Sequence, residues 1–97
     1  MTARIFLSPR ARLDLDEIWT HSEQHWGVER AERYARQIWR DAEGVAAQPS
    51  LGRSCANIRE GYRKYPSGSH LLFYRSLDDG IEIIRILHEH MDSDRHF

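Results

Sequence analysis

Two groups of side chains in this sequence have types and spacings that could do chemistry. The first is His88-Glu89-His90, followed by Asp92, Asp94 and His96. If a strand runs through it, alternation puts the imidazoles of His88 and His90 on one side, and imidazole with carboxylate is a donor set for a divalent metal. The spacing matches none of the standard zinc patterns, so no metal is expected. The same histidines titrate near pH 6.5 when unperturbed, so His88 or His90 could serve as general acid or base. The second group is cationic: Arg63, Lys64, Arg75 and Arg85. Metal-free cleavage of a phosphodiester needs an acid/base pair and a cation on the pentavalent phosphate, and the two groups together contain both. A plainer role competes. Arg75 and Arg85 alternate with apolar residues, and an ion pair with an acid from the helices or from a partner takes precedence over catalysis. Arg63 and Lys64 are adjacent, so in a strand they point to opposite faces. Cys55 has no obvious partner base and reads as a small loop residue, not a nucleophile.

These side chains must be positioned by elements that the apolar pattern predicts. Residues 4 to 7, Arg-Ile-Phe-Leu, read as a short strand ending at Ser8-Pro9. Ser8 is a good N-cap, and Pro9 fits the first helical position because its missing N–H has no intrahelical partner there. Leu15, Ile18, Trp19, Ser22 and Trp26 then recur at helical spacing, and Gly27 follows as a C-terminal signal, so a helix is predicted over 9–26. The opposite side carries Asp14, Asp16, Glu17, Glu23 and Gln24, and the set Asp14, Asp16, Glu17 reads as a solvated face. Ala31, Tyr34, Ala35, Ile38, Ala42, Val45 and Ala46 mark a second helix that Pro49 stops. The short Gly27-Val28 link makes the two an antiparallel hairpin. Gly44 inside it costs up to about 1 kcal/mol relative to alanine and is read as permitting a close helix contact. Trp39 lies off the stripe.

Residues 49 to 60 show no period and read as a loop. Residues 61–65 and 69–77 read as strands separated by turn chemistry at Pro66-Ser67-Gly68. Asp78-Asp79-Gly80 is a hairpin signal, and 81–88 is the most β-branched stretch. Alternation assigns Ile81, Ile83, Arg85 and Leu87 to one face and Glu82, Ile84, Ile86 and His88 to the other. Aliphatics on both faces predict a central strand. The expected architecture is α+β: an N-terminal strand, an antiparallel helical hairpin, then a three-stranded antiparallel meander, in the order β-α-α-β-β-β.

Composition narrows the function classes. The 97 residues form one domain, 1–97, with a short tail over about 91–97. Fourteen basic against 15 acidic residues leave a formal charge of −1, which argues against a surface that grips nucleic acid throughout. No stretch approaches the roughly 18 to 20 apolar residues of a membrane span, and the N-terminus lacks an apolar signal region. One cysteine excludes an internal disulfide framework. The cytoplasm is the expected address.

Several runs resemble the RelE/ParE toxin superfamily: Leu7-Ser8-Pro9-Arg10-Ala11, Asp14-Leu15-Asp16-Glu17-Ile18-Trp19, Trp26-Gly27, Ala31-Glu32-Arg33-Tyr34 and Pro49-Ser50-Leu51-Gly52-Arg53. Ile58-Arg59-Glu60-Gly61-Tyr62-Arg63, Gly68-Ser69-His70, Phe73-Tyr74-Arg75, Ile83-Ile84-Arg85-Ile86-Leu87-His88, Met91-Asp92 and Arg95-His96 are similar to its ParE branch. The order and spacing of these runs, from residue 5 to the C-terminus, carry the resemblance.

The resemblance implies the toxin half of a bacterial type II toxin–antitoxin pair, with the helical hairpin on a small sheet already read from the pattern. It implies a ParD-like antitoxin that folds on binding, and so a toxin–antitoxin hetero-oligomer. The expected target is DNA gyrase, bound directly, with no cofactor, metal or membrane and no nucleic acid bound by the chain alone. The alternative within the superfamily is a ribosome-dependent mRNA endonuclease; fold does not decide between them. An arginine of some nuclease members falls here on His70-Leu71, their terminal His-Tyr pair falls on Glu89-His90, and no tyrosine follows Tyr74. The expectation is therefore a protein-binding inhibitor, not an enzyme. Antitoxin contacts are expected at Trp19, Trp26, Tyr34, Trp39, Arg75 and Arg85. Target contacts are expected at Arg59, Arg63, His88, Arg95, His96 and Phe97. The stripe Trp19, Trp26, Tyr34 is most simply core between the helices and the sheet, with a groove for an amphipathic antitoxin helix as the functional alternative, and Trp39 is the better single residue for partner contact. Arg95, His96 and Phe97 give the tail cationic and aromatic character suited to a protein surface.

Overall fold

A computed structural model describes residues 3–91 and 93–97. Strand β1 (Arg4–Leu7) leads into helix α1 (Pro9–Trp26) and helix α2 (Val28–Ala47). A 3-10 turn (Pro49–Leu51) and a short strand β2 (Arg53–Ser54) follow, then β3 (Tyr62–Ser67), β4 (His70–Leu77), β5 (Gly80–His88) and a terminal 3-10 turn (Ser93–His96). The five strands form one sheet in the order β1-β5-β4-β3-β2. β1 runs parallel to β5; the other neighbours are antiparallel. The expected architecture is present with one addition: β2, inside the segment read as loop, pairs with Arg63 and Lys64. Two residues are too few to show a period, so pattern alone could not find it.

Local chemistry explains the helix ends. The Ser8 hydroxyl accepts from the Ala11 N–H at 3.0 Å and donates to the Ile84 carbonyl at 2.6 Å, so one side chain caps α1 and ties it to β5. Gly27, at φ +88°, is the whole link between α1 and α2. Gly44 has open space around its Cα, so it makes no close helix contact, contrary to expectation. The turn between β3 and β4 is Gly68-Ser69, two residues later than Pro66 suggested, because β3 pairs through Ser67.

The core has two layers. On one face of the sheet, Ile38, Ala42, Val45 and Ala46 of α2 and Ala11 of α1 pack on Leu72, Tyr74, Ile81, Ile83 and Ile86. On the other, Cys55, Phe73 and Leu87 form a smaller cluster with Ile58, Tyr62 and Leu71. Each fully buried aliphatic there contributes about 1.5–3 kcal/mol. β5 is central, as both-sided burial predicted. Its alternation is not continuous: Tyr74 pairs with Ile83 but Phe73 with Arg85, so Ile84 is a bulge. That is why Ile83 and Ile86, three apart, share a core face against the strict alternation.

Two expectations for α1 fail for one reason: its buried face is centred on Ala11, Asp14 and Ser22 and not on the Trp19–Trp26 stripe. Asp14 is only 7% exposed, not solvated, whereas Trp26 is 52% exposed and is not core. No helix is long and apolar enough to cross a membrane.

Candidate functional site

β5 extends past the end of β1, since β1 pairs only as far as Ile83. Beyond that point a cleft of about 550 Å³ opens between the helical hairpin and the strand ends. Trp26 and Tyr34 line it from the helices, and His70, Arg85 and His88 line it from the sheet, with His96 of the tail at its edge.

The Tyr34 hydroxyl accepts from the Ser69 N–H at 3.0 Å and shares a hydrogen bond with Nδ1 of His70 at 2.6 Å. Burial first, then the neighbouring His88 and His21, lower the His70 pKa to about 4, with Glu89 and Asp14 opposing. The ring of His88 meets His70 edge-on at 5.3 Å and lies 5.1 Å from His90. The His90 N–H donates to Nδ1 of His88 at 3.2 Å. Burial likewise raises the Tyr34 pKa.

Below the histidines lies a buried ion pair. Nε and Nη2 of Arg85 donate to the two carboxylate oxygens of Asp14 at 2.8 and 2.9 Å, and the Ile86 N–H donates to the same carboxylate at 3.0 Å. Arg85 is 8% exposed, and its pKa is raised, foremost by that bond to Asp14 and against the cost of burial. The ion pair with a helix acid is the plainer of the two roles read for Arg85. Asp14, expected on a solvated face, is instead buried; it lies three residues after Ala11 and four before Ile18, so a helical wheel begun at the cap places it on the inner side.

Among the expected contact residues, Trp26, Tyr34, Arg85, His88 and His96 converge on this cleft. Trp26 forms its rim, with the Arg30 guanidinium 5.6 Å from its ring. The others lie elsewhere. Trp19 is half-buried on α1, and Trp39 is exposed on α2 at 44%. Arg75 pairs with Glu82 across the β4–β5 ladder at 2.7 Å. Arg63 donates to the Gly52 carbonyl at 2.7 Å, and Arg59 is exposed in the loop before β3. Arg95 and Phe97 belong to the tail, where the Phe97 ring packs on Phe73 at 5.1 Å and on Tyr62 at 5.9 Å. Cys55 is buried, and burial pushes its thiol pKa up. Among the described residues no three metal-ligating side chains converge. Asp92 and the side chain of Asp94 lie outside the described residues.

Comparison with known proteins assigns this arrangement. Residues 5–93 match the family described as the ParE toxin of the type II toxin–antitoxin system parDE. The chain belongs to the ParE toxin family. It is 47% identical to the Toxin ParE1 of Mycobacterium tuberculosis over 96 residues, 98% of each chain. It is 50% identical to the Toxin ParE1 of Caulobacter vibrioides over 90 residues, 93% of each. The ParE fold is also plain in space. A chain from a chromosomal ParDE toxin–antitoxin system of P. aeruginosa superimposes with a TM-score of 0.74 at 20% identity, covering 90% of this chain and 96% of that one. A chain of the YoeB-YefM complex from Staphylococcus aureus gives 0.60 at 18% identity, covering 91% and 98%. At those identities the two structures speak for the fold alone. As a ParE family member, the chain is the toxin of a type II toxin–antitoxin system.

Proposed function

We propose that this toxin halts growth by binding DNA gyrase directly, and that a ParD-like antitoxin neutralises it by covering the helical hairpin and the cleft. The observation that carries the reading is the state of the sheet arginines within a ParE fold. Arg63 donates to a backbone carbonyl, Arg75 is paired with Glu82, and Arg85 is held by a buried carboxylate. A guanidinium already bonded to protein is poorly placed to neutralise a phosphorane. Nδ1 of His70 is engaged by the Tyr34 hydroxyl, and its pKa near 4 removes it as an acid at neutral pH. The mRNA endonuclease reading therefore has less support than a binding mechanism.

For the antitoxin, the support is the exposed aromatic surface of the hairpin. Trp26 and Trp39 each leave about half their surface to solvent on a charged helical surface, which suits an amphipathic partner segment. For the target, the support is the tail, which exposes Arg95, His96 and Phe97 and brings His96 to the edge of the cleft. A gyrase target requires a cytoplasmic address.

The test is a supercoiling assay with purified toxin and gyrase, together with toxin induction in cells lacking the antitoxin. Loss of supercoiling or trapped DNA cleavage at micromolar toxin, with a DNA-damage response preceding any fall in translation, is expected. Immediate translation arrest with gyrase unaffected would replace this reading with the endonuclease.

A further inference from the structure

A 3-10 turn of four residues at a chain end has little of its own to hold it in place. Two successive tail residues are gripped from the sheet. The His96 carbonyl accepts from Nη1 of Arg85 at 3.2 Å, and the Phe97 ring packs on Phe73. Arg85 and Phe73 are themselves cross-strand partners. They are partners only because of the bulge. Had the ladder continued unbroken from the Tyr74–Ile83 pair, Phe73 would face Ile84, which has no side-chain donor for the tail. A bulge that re-aims one side chain at a functional end of a sheet is a recurrent device.

Arg85 cannot choose another direction. Two of its nitrogens are committed to Asp14, and Asp14 is held in turn by the Ile86 N–H. The guanidinium is a planar fork, so fixing two of its nitrogens aims the third. A buried ion pair is by itself weak grounds for stability, because desolvation offsets much of its attraction. The third donor gives this pair a further role. The geometry points to a clasp in which Asp14 of α1, through Arg85 of β5, holds the C-terminal tail in the pose that meets the target. The inference rests on the tail reading above. Asp14 and Arg85 are positioning residues acting from beneath the surface, and α1 and the tail form one unit.

Carboxypeptidase release of Phe97 from the full-length toxin reads the clasp directly. In the wild type, release is expected to be at least about tenfold slower than from a free peptide of residues 89–97, the scale of a hydrogen bond to a charged group. Arg85→Lys keeps the charge opposite Asp14 but loses the fork, and should restore fast release with circular dichroism unchanged. Equal rates for wild type and free peptide would overturn the clasp, and that arm requires no variant to fold. Equal rates for wild type and R85K, in a folded variant, would overturn it as well. Growth arrest by R85K separates the two readings. Fast release with weakened arrest supports both. Fast release with full arrest keeps the clasp and overturns the tail as the target contact.

Discussion

The Tyr34 hydroxyl is hydrogen-bonded to Nδ1 of His70 while accepting from the Ser69 N–H, and so pins the β3–β4 turn to helix α2 and buries one imidazole beside it. The turn is shaped for this: Gly68 has φ +59°, and a Cβ there would lie 2.6 Å from the Tyr34 ring. The consequence is a pH dependence of stability. The folded His70 pKa is about 4, against about 6.5 when unfolded, so between those values the unfolded chain binds more protons. The contribution of His70 is complete above pH 6.5 and is lost as pH falls toward 4. Urea midpoints measured across that range should decline for the wild type and decline less steeply for His70→Gln; parallel profiles would count against the assignment.

The buried pair makes Asp14 a sensitive position. Asp14→Ala leaves Arg85 charged and uncompensated and the Ile86 N–H without its acceptor, a loss of about 3–5 kcal/mol. Replacing both partners with apolar residues, as in Asp14→Leu with Arg85→Met, should recover most of that stability. Denaturant titration of the single and double variants measures both numbers.

Two glycines should respond with opposite signs. A Cβ on Gly80 would strike the Arg4 backbone across the parallel β1–β5 pair, where neither backbone can give way, so Gly80→Ala should cost about 1–3 kcal/mol. Gly44 lies in a helix with open space around it, so Gly44→Ala should stabilise by about 0.5–1 kcal/mol. Thermal melts of the two variants decide.

Exposed tryptophans separate binding from folding. Trp39→Ala and Trp26→Ala should change stability by no more than about 0.5 kcal/mol. If these side chains anchor the antitoxin, each should weaken toxin–antitoxin binding by about 2 kcal/mol, some thirtyfold. Calorimetric titration with the antitoxin reads the affinity, and unchanged affinity would move the interface off the hairpin.

Much of this molecule was legible in its residues. Ser8-Pro9, Gly27 and Pro49 bound the helices because capping, left-handed backbone and a missing N–H are local properties. The β-branched run at 81–88 marked the central strand because burial on both faces demands aliphatics at every position. The family motifs ran through the whole chain, and with them the toxin assignment. What depended on contacts far apart in sequence was not legible. The bulge at Ile84 exists only against Phe73 and Tyr74, and it reversed the facing of everything after it. Asp14 looked like one more surface acid until Arg85, 71 residues away, was folded onto it. His70 looked ordinary until the fold buried it between Tyr34 and His88 and lowered its pKa. A charge or a proton is a property of a pair in space, and only the tertiary structure brings the pairs together.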